Sequence, residues 1–167
     1  LFLAEQLGRP ELRRRAMARI GMHPALPLSL HTGSVVGAVQ ATRNAGMGAL
    51  GRREPDGNWV FRPTEKTASL GTTGDTNVGM AAAAVRNVMR SAALSADDRL
   101  LQEGLKGLAW IRKWRVPRGA QVWEIPLHAP DILASAHCSA AFLWGYRLTG
   151  DEAYLRDAVY WARTGLP

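Results

Sequence analysis

Two stretches of this chain carry apolar residues at helical spacing on both sides of a very short break, and that pattern leaves little choice of fold. In the later stretch, Ile132, Leu133, Ala136, Ala140, Leu143, Trp144 and Leu148 recur at the three-and-four spacing of one helix face. Thr149-Gly150-Asp151-Glu152 interrupts them, and Tyr154, Leu155, Ala158, Val159 and Ala162 follow on a second helix that Gly165 and Pro167 stop. Thr149 is the expected N-cap, with Glu152 as its capping-box partner. In the earlier stretch, Val78, Ala81, Ala82, Val85, Val88 and Met89 precede Ser95-Ala96-Asp97-Asp98, and Leu101, Leu105, Leu108, Ile111 and Trp114 follow. Ser95 is the expected cap there. Asp97 and Asp98 suit the start of the helix, and Lys113 and Arg115 suit its end, because the helix dipole favours those charges at those ends. Two long helices joined by so short a turn lie antiparallel, as a helical hairpin.

The two hairpins match in register. Leu94 to Leu101 and Leu148 to Leu155 each span seven positions, and the second pair lies 54 positions after the first. A period of this length signals a repeat architecture. A weaker copy opens the chain: Leu7-Gly8-Arg9-Pro10-Glu11-Leu12 reads as a break followed by a helix with Pro near its first position. Residues 34–50 form another expected helix, through Val35, Val36, Val39, Met47 and Leu50, with Gly37, Gly46 and Gly48 weakening it.

The two members of each hairpin differ in kind. The first is rich in Ala and Ser and poor in charge, so protein can surround it; the second is amphipathic and faces water on one side. Inner helices covered by outer helices make a double-layered arc, and closing the arc makes a toroid. The expected fold is therefore all-α: repeated antiparallel helical hairpins forming part of an α/α toroid, with residues 1–167 as a single partial domain. The long polar loops 51–76 and 115–130 both lead into inner helices, so they are expected on one rim, around the mouth of the central cavity.

A chain of 167 residues, 47% of them hydrophobic, suffices for one core. It begins Leu1-Phe2-Leu3 without Met and stops directly after a helical pattern, so both ends are expected to be cuts, with the remainder of the same polypeptide as a partner. No stretch approaches the roughly 20 apolar residues of a membrane span. The formal charge is +7, carried mostly by Arg. The densest cluster, Arg9, Arg13, Arg14, Arg15 and Arg19, spreads around a helix instead of forming one stripe, which fits a solvated face better than a nucleic-acid site. An acidic polysaccharide remains compatible with this charge. Cys138 is the only cysteine, set among Ala and Ser, and reads as a small buried residue. His23 and His31 stand apart from any acid or thiol, and no metal, phosphate-loop or dinucleotide signature occurs. Neither metal nor cofactor is expected.

The candidate chemistry lies in the two long loops. In the first, Asp56-Gly57 signals a tight turn, Trp59 and Phe61 alternate with Val60 as in a short extended strand, and Asp75 stands at the start of an inner helix. Asp75 is either that helix's N-cap or a carboxylate presented at the cavity mouth. In the second, Arg118, Trp123, Glu124, His128 and Asp131 crowd into a few residues. Glu124 beside Trp123 suits sugar chemistry, because an aromatic face accepts the C–H side of a sugar ring and desolvates a nearby carboxyl. The alternatives are an ion pair of Glu124 with Arg118 or Arg115, a cap for Asp131, and a loop hydrogen bond for His128. Glycoside hydrolysis needs two carboxyls, and Asp75 with Glu124 is the pair these loops offer. Trp110 and Glu103 read as ordinary outer-helix residues, and Trp114, Trp144 and Trp161 as helix packing.

The repeated hairpin, the Thr149-Gly150-Asp151-Glu152-Ala153-Tyr154-Leu155 turn and the loop bearing Trp123-Glu124 together resemble the six-hairpin glycosidase-like superfamily in its (α/α)6-type toroid form. The resemblance covers about residues 51–167. It implies an enzyme acting on an oligo- or polysaccharide in the toroid cavity, with Asp75 and Glu124 as the acids and Trp59 and Trp123 as sugar platforms. Arg118, His128 and Asp131 would bind substrate. A lyase in the same fold would need His128 or a Tyr as base and Arg118 to neutralise an acidic sugar. Arg53-Glu54-Pro55-Asp56-Gly57-Asn58-Trp59 is also similar to the Gln-and-Trp repeat of terpenoid cyclase-like toroids, with Arg or Glu where Gln is expected and without an Asp-rich motif. A cyclase- or prenyltransferase-like enzyme predicts an aromatic, apolar cavity. A non-catalytic hairpin scaffold predicts carboxylates engaged as caps and Arg partners.

Overall fold

The computed structural model describes residues 6–12, 14–15 and 35–166. Arg13, Arg19, His23, His31 and the two chain ends lie outside these residues. Among the described residues the protein is all-α: α1 Val35–Leu50, α2 Val78–Ser95, α3 Asp98–Ile111, α4 Ile132–Thr149 and α5 Glu152–Thr164, with one 3-10 turn at Glu65–Thr67. Pro10 opens a further helical segment. The only β-type pairing among these residues is an isolated antiparallel bridge between Arg118 and Pro130. The segment around Trp59 is extended but forms no named strand.

Both expected hairpins are present, and both turns shift by two residues from the expected capping register. Ser95 and Thr149 remain inside their helices, where each hydroxyl donates to the carbonyl four residues back, Ser91 and Gly145. Ala96 and Gly150 then take the left-handed conformation, at φ 51° and 73°, and end the helix. Asp97 and Asp151 are the N-caps: Asp97 accepts from the Leu100 N–H at 2.9 Å and Asp151 from the Ala153 N–H at 2.8 Å. The reason is geometric. A reversal this short needs one left-handed residue to terminate the first helix, so the residue after it, not before it, enters the second. Asp97 also pairs with Arg43 at 2.6 Å, and its carboxyl is held below the usual carboxylate range by the Leu100 N–H first and by Arg43 second.

Helix α2 is central. It packs against α1, α3 and α4, and α4 packs in turn against α5. α3 approaches α2 through Gly104 and Gly107, one turn apart. A Cβ at Gly104 would fall 2.2 Å from Met89 Sδ, and one at Gly107 would fall 2.4 Å from Val85 Cγ2. α1 runs antiparallel to α2: Arg43 reaches Asp97, Gly46 abuts Ser91, and Ala49 packs with Val88. The main core joins Met89, Leu108, Ile111, Phe142 and Trp161 with Trp59 from the first long loop. Trp114 and Trp144 pack against its edge, as expected, and Trp110 is buried within it. α4 leaves one face open, where Ile132 is 67% exposed beside Ala136, Ser139, Ala140 and Leu143. No helix among the described residues is long and apolar enough to cross a membrane.

Candidate functional site

The two long loops meet over the N-terminal ends of α2 and α4. Leu127 N–H donates to Leu70 O at 2.7 Å, which ties the second loop to the first. Gly79, in the first turn of α2, donates to Arg118 O at 2.8 Å. Phe61 pairs by backbone hydrogen bonds with Asp75 O at 2.6 Å and Gly74 N at 3.0 Å, which folds the first loop back on itself.

Asp131 joins the second loop to α4. One carboxylate oxygen accepts the N–H groups of Ala120 and Gln121 at 2.7 and 2.6 Å; the other accepts Leu133 N–H at 2.9 Å and caps α4. The residue is buried. Among the described residues every hydrogen bond it makes is to backbone, and its burial leaves it a structural anchor with little surface to offer a substrate. Arg118 is half-buried, with its backbone carbonyl engaged by Gly79 and its Nε buried without a partner among the described residues.

Asp75 is not the cap of α2. Asn77 is, accepting Val78 N–H at 3.0 Å. An Asp75 carboxylate oxygen instead accepts Thr72 N–H at 3.0 Å and lies 3.8 Å from His128 Nε2. The other ring nitrogen, Nδ1, sits 3.2 Å from Asn77 Nδ2. An amide NH2 only donates, so Nδ1 is the acceptor and the imidazole proton resides on Nε2, nearest the carboxylate. Asn77 itself is buried and also reaches Leu127 O at 3.4 Å. The loops thus bring together Asp75, Asn77 and His128, a grouping in which Asn77 had no signal beyond its type.

Glu124 lies on an exposed turn that begins at Gln121, and among the described residues it forms no ion pair with Arg115 or Arg118. Trp123 beside it is 61% exposed and presents an open indole face. Trp59 does the opposite. It is 6% exposed, donates from Nε1 to Ala49 O at 3.0 Å, and lies under the Arg53 guanidinium. Because Trp59 and Phe61 both turn inward along the extended segment, Trp59 is a core pillar and not an exposed sugar platform.

Beside these residues is a groove of about 470 Å³. One wall is the open stripe of α2, Met80, Ala83, Ala84 and Asn87; the loops close it with Trp59 to Arg62, Ala120 and Val122. Among the described residues Arg52 and Arg62 are its charged lining residues, and no carboxylate lines it. On the flank where α2 meets α4, Arg86 Nη1 donates to His137 Nδ1 at 2.9 Å. Burial first, and Arg86 second, push the His137 imidazole down to about 4 against an opposing pull from Asp131. Among the described residues no cluster of three or more His, Cys, Asp or Glu could hold a metal. No known protein family, curated protein or solved structure matches the chain.

Proposed function

We propose that this chain is part of a carbohydrate-active enzyme of the (α/α)6 toroid type, a glycoside hydrolase acting on an oligo- or polysaccharide. One observation carries the reading: the two long loops converge where α2 and α4 begin, and the half-buried carboxylate of Asp75 and the exposed one of Glu124, with the open Trp123 ring, lie in the loops that border a basic groove. Two carboxyls are what hydrolysis of a glycosidic bond needs, one to protonate the leaving oxygen and one to activate water or attack the anomeric carbon. Trp123 supplies the apolar surface for a sugar ring. The α4 face left open by Ile132 and Leu143 fits a further hairpin of the toroid.

His128 favours hydrolysis over elimination. Asn77 occupies Nδ1, which leaves Nε2 as a donor beside Asp75, so the ring supports that carboxylate and has no free lone pair to take a substrate proton. A terpenoid-cyclase-like cavity fits less well, because Arg52 and Arg62 line the groove.

The test is product formation by the whole polypeptide on a panel of neutral and uronate-containing polysaccharides. Hydrolysis yields new reducing ends alone; a lyase yields reducing ends together with the ultraviolet absorbance of an unsaturated uronate. Release of neither product from any substrate removes the proposal and leaves a non-catalytic hairpin scaffold.

A further inference from the structure

The groove has a charge pattern that the hydrolytic reading does not require. Arg62 is paired with Glu54 on its outer side. Arg52 has no ion-pair partner among the described residues, although its side chain lines the groove. The remaining polar lining is neutral, Thr67 and Asn87, and the floor is apolar. A guanidinium beside an apolar wall interacts more strongly with an anion than one in open water, and its planar fork matches a carboxylate or sulfate in a bidentate manner. Among the described residues no lining carboxylate competes for that fork.

We infer that this groove reads the negative charge of the substrate: it takes the carboxylate or sulfate of an acidic sugar unit, with Arg52 as the unshared cation and Arg62 as a second cation restrained by Glu54. The inference rests on the carbohydrate-active reading and narrows its substrate class. The apolar floor lies against the C–H face of the sugar ring, while Asn87 and Thr67 offer hydrogen bonds to its hydroxyls. The Glu54 pair sets the strength of the site. Glu54 also shapes the loop through backbone hydrogen bonds with Asn58 and Gly57, so a change confined to its carboxylate alters the charge and leaves the turn in place.

The experiment measures binding of the whole polypeptide, by calorimetry, to matched oligosaccharides: a uronate form, its carboxyl-reduced form, a sulfated form and a neutral form. The uronate form is expected to bind about 10- to 100-fold more tightly than its carboxyl-reduced form, the range of a charge-assisted contact. Arg52→Ala removes that preference and Arg52→Lys restores part of it. Glu54→Gln frees Arg62 and tightens uronate binding by about threefold, the scale of an exposed pair. A generally damaged groove would weaken binding in that variant. Preference for the sulfated form over the uronate form supports the same charge reading with sulfate as the group. Equal affinity for charged and neutral forms, or an Arg52→Ala protein that keeps the preference, overturns the inference. Binding and cleavage of a neutral glycan without charge preference defeats this inference alone; absence of binding and cleavage for every glycan defeats the functional reading beneath it.

Discussion

The Cβ that Gly79 lacks would lie 2.5 Å from the backbone nitrogen of Ala120. Its next neighbours, Arg118 O and the Gly119 carbonyl carbon, are also backbone, at 2.7 Å each. Side chains can rotate away from an added methyl, but this loop cannot move without losing the Gly79 to Arg118 hydrogen bond and the pair of bonds to Asp131. Gly79→Ala is therefore expected to destabilise the fold by about 2–4 kcal/mol, the range for forced overpacking combined with lost hydrogen bonds. Chemical denaturation measures it, and a change below about 0.5 kcal/mol, typical of a neutral surface site, contradicts it.

Asp131 is the second anchor of the same loop. Asp131→Ala leaves the Ala120, Gln121 and Leu133 N–H groups without their acceptor, at a cost of about 2–4 kcal/mol. Asp131→Asn retains an acceptor oxygen and is expected to cost less. If catalysis falls in either variant, the loss should follow the loss of folded protein in a thermal melt. Full stability with abolished substrate binding would instead place Asp131 at the substrate.

Stability should fall in mildly acidic solution, and His137 is a named contributor. Its ordinary value of 6.5 is lowered to about 4 in the fold, by burial and by Arg86. As pH falls through 6.5, the unfolded chain takes up this proton first. The stability that neutral His137 contributes is complete above about pH 6.5 and drains away as pH falls toward 4, by at most about 3 kcal/mol. His137→Gln removes that component, so the difference between wild type and variant should narrow or reverse across this window. Parallel stability curves would show that His137 is not buried as a neutral ring.

Cys138 should be inert. It is fully buried in α4, and burial pushes its thiol far above the ordinary range, so thiolate is negligible at neutral pH. A thiol reagent is expected to react with it only after denaturation. Rapid labelling of native protein would mean that the contact between α2 and α4 opens locally.

The hairpins were legible because apolar spacing and short breaks are local signals, and so was the place of Trp161 in the core. The exact caps were not. A Ser or Thr before an acid looks like a cap until the reversal demands a left-handed residue between them, which moves the role to Asp97 and Asp151. Trp59 misled for a related reason: alternation shows which residues share a face, not which face is buried, and here Trp59 and Phe61 share the inner one. The contact of Asp75 with His128, the cap at Asn77 and the groove between Arg52 and Arg62 arise only where two loops separated by a helical hairpin meet. No local pattern encodes such a meeting.

The measurement that tests the central claim most directly is turnover of an acidic polysaccharide by the whole polypeptide and by its Asp75→Asn and Glu124→Gln variants, each verified as folded. The account predicts cleavage by wild type and a loss of at least about 100-fold in kcat for each variant, the lower range for removing a general acid or base. Wild-type turnover that survives both substitutions would contradict it and move the chemistry to other residues.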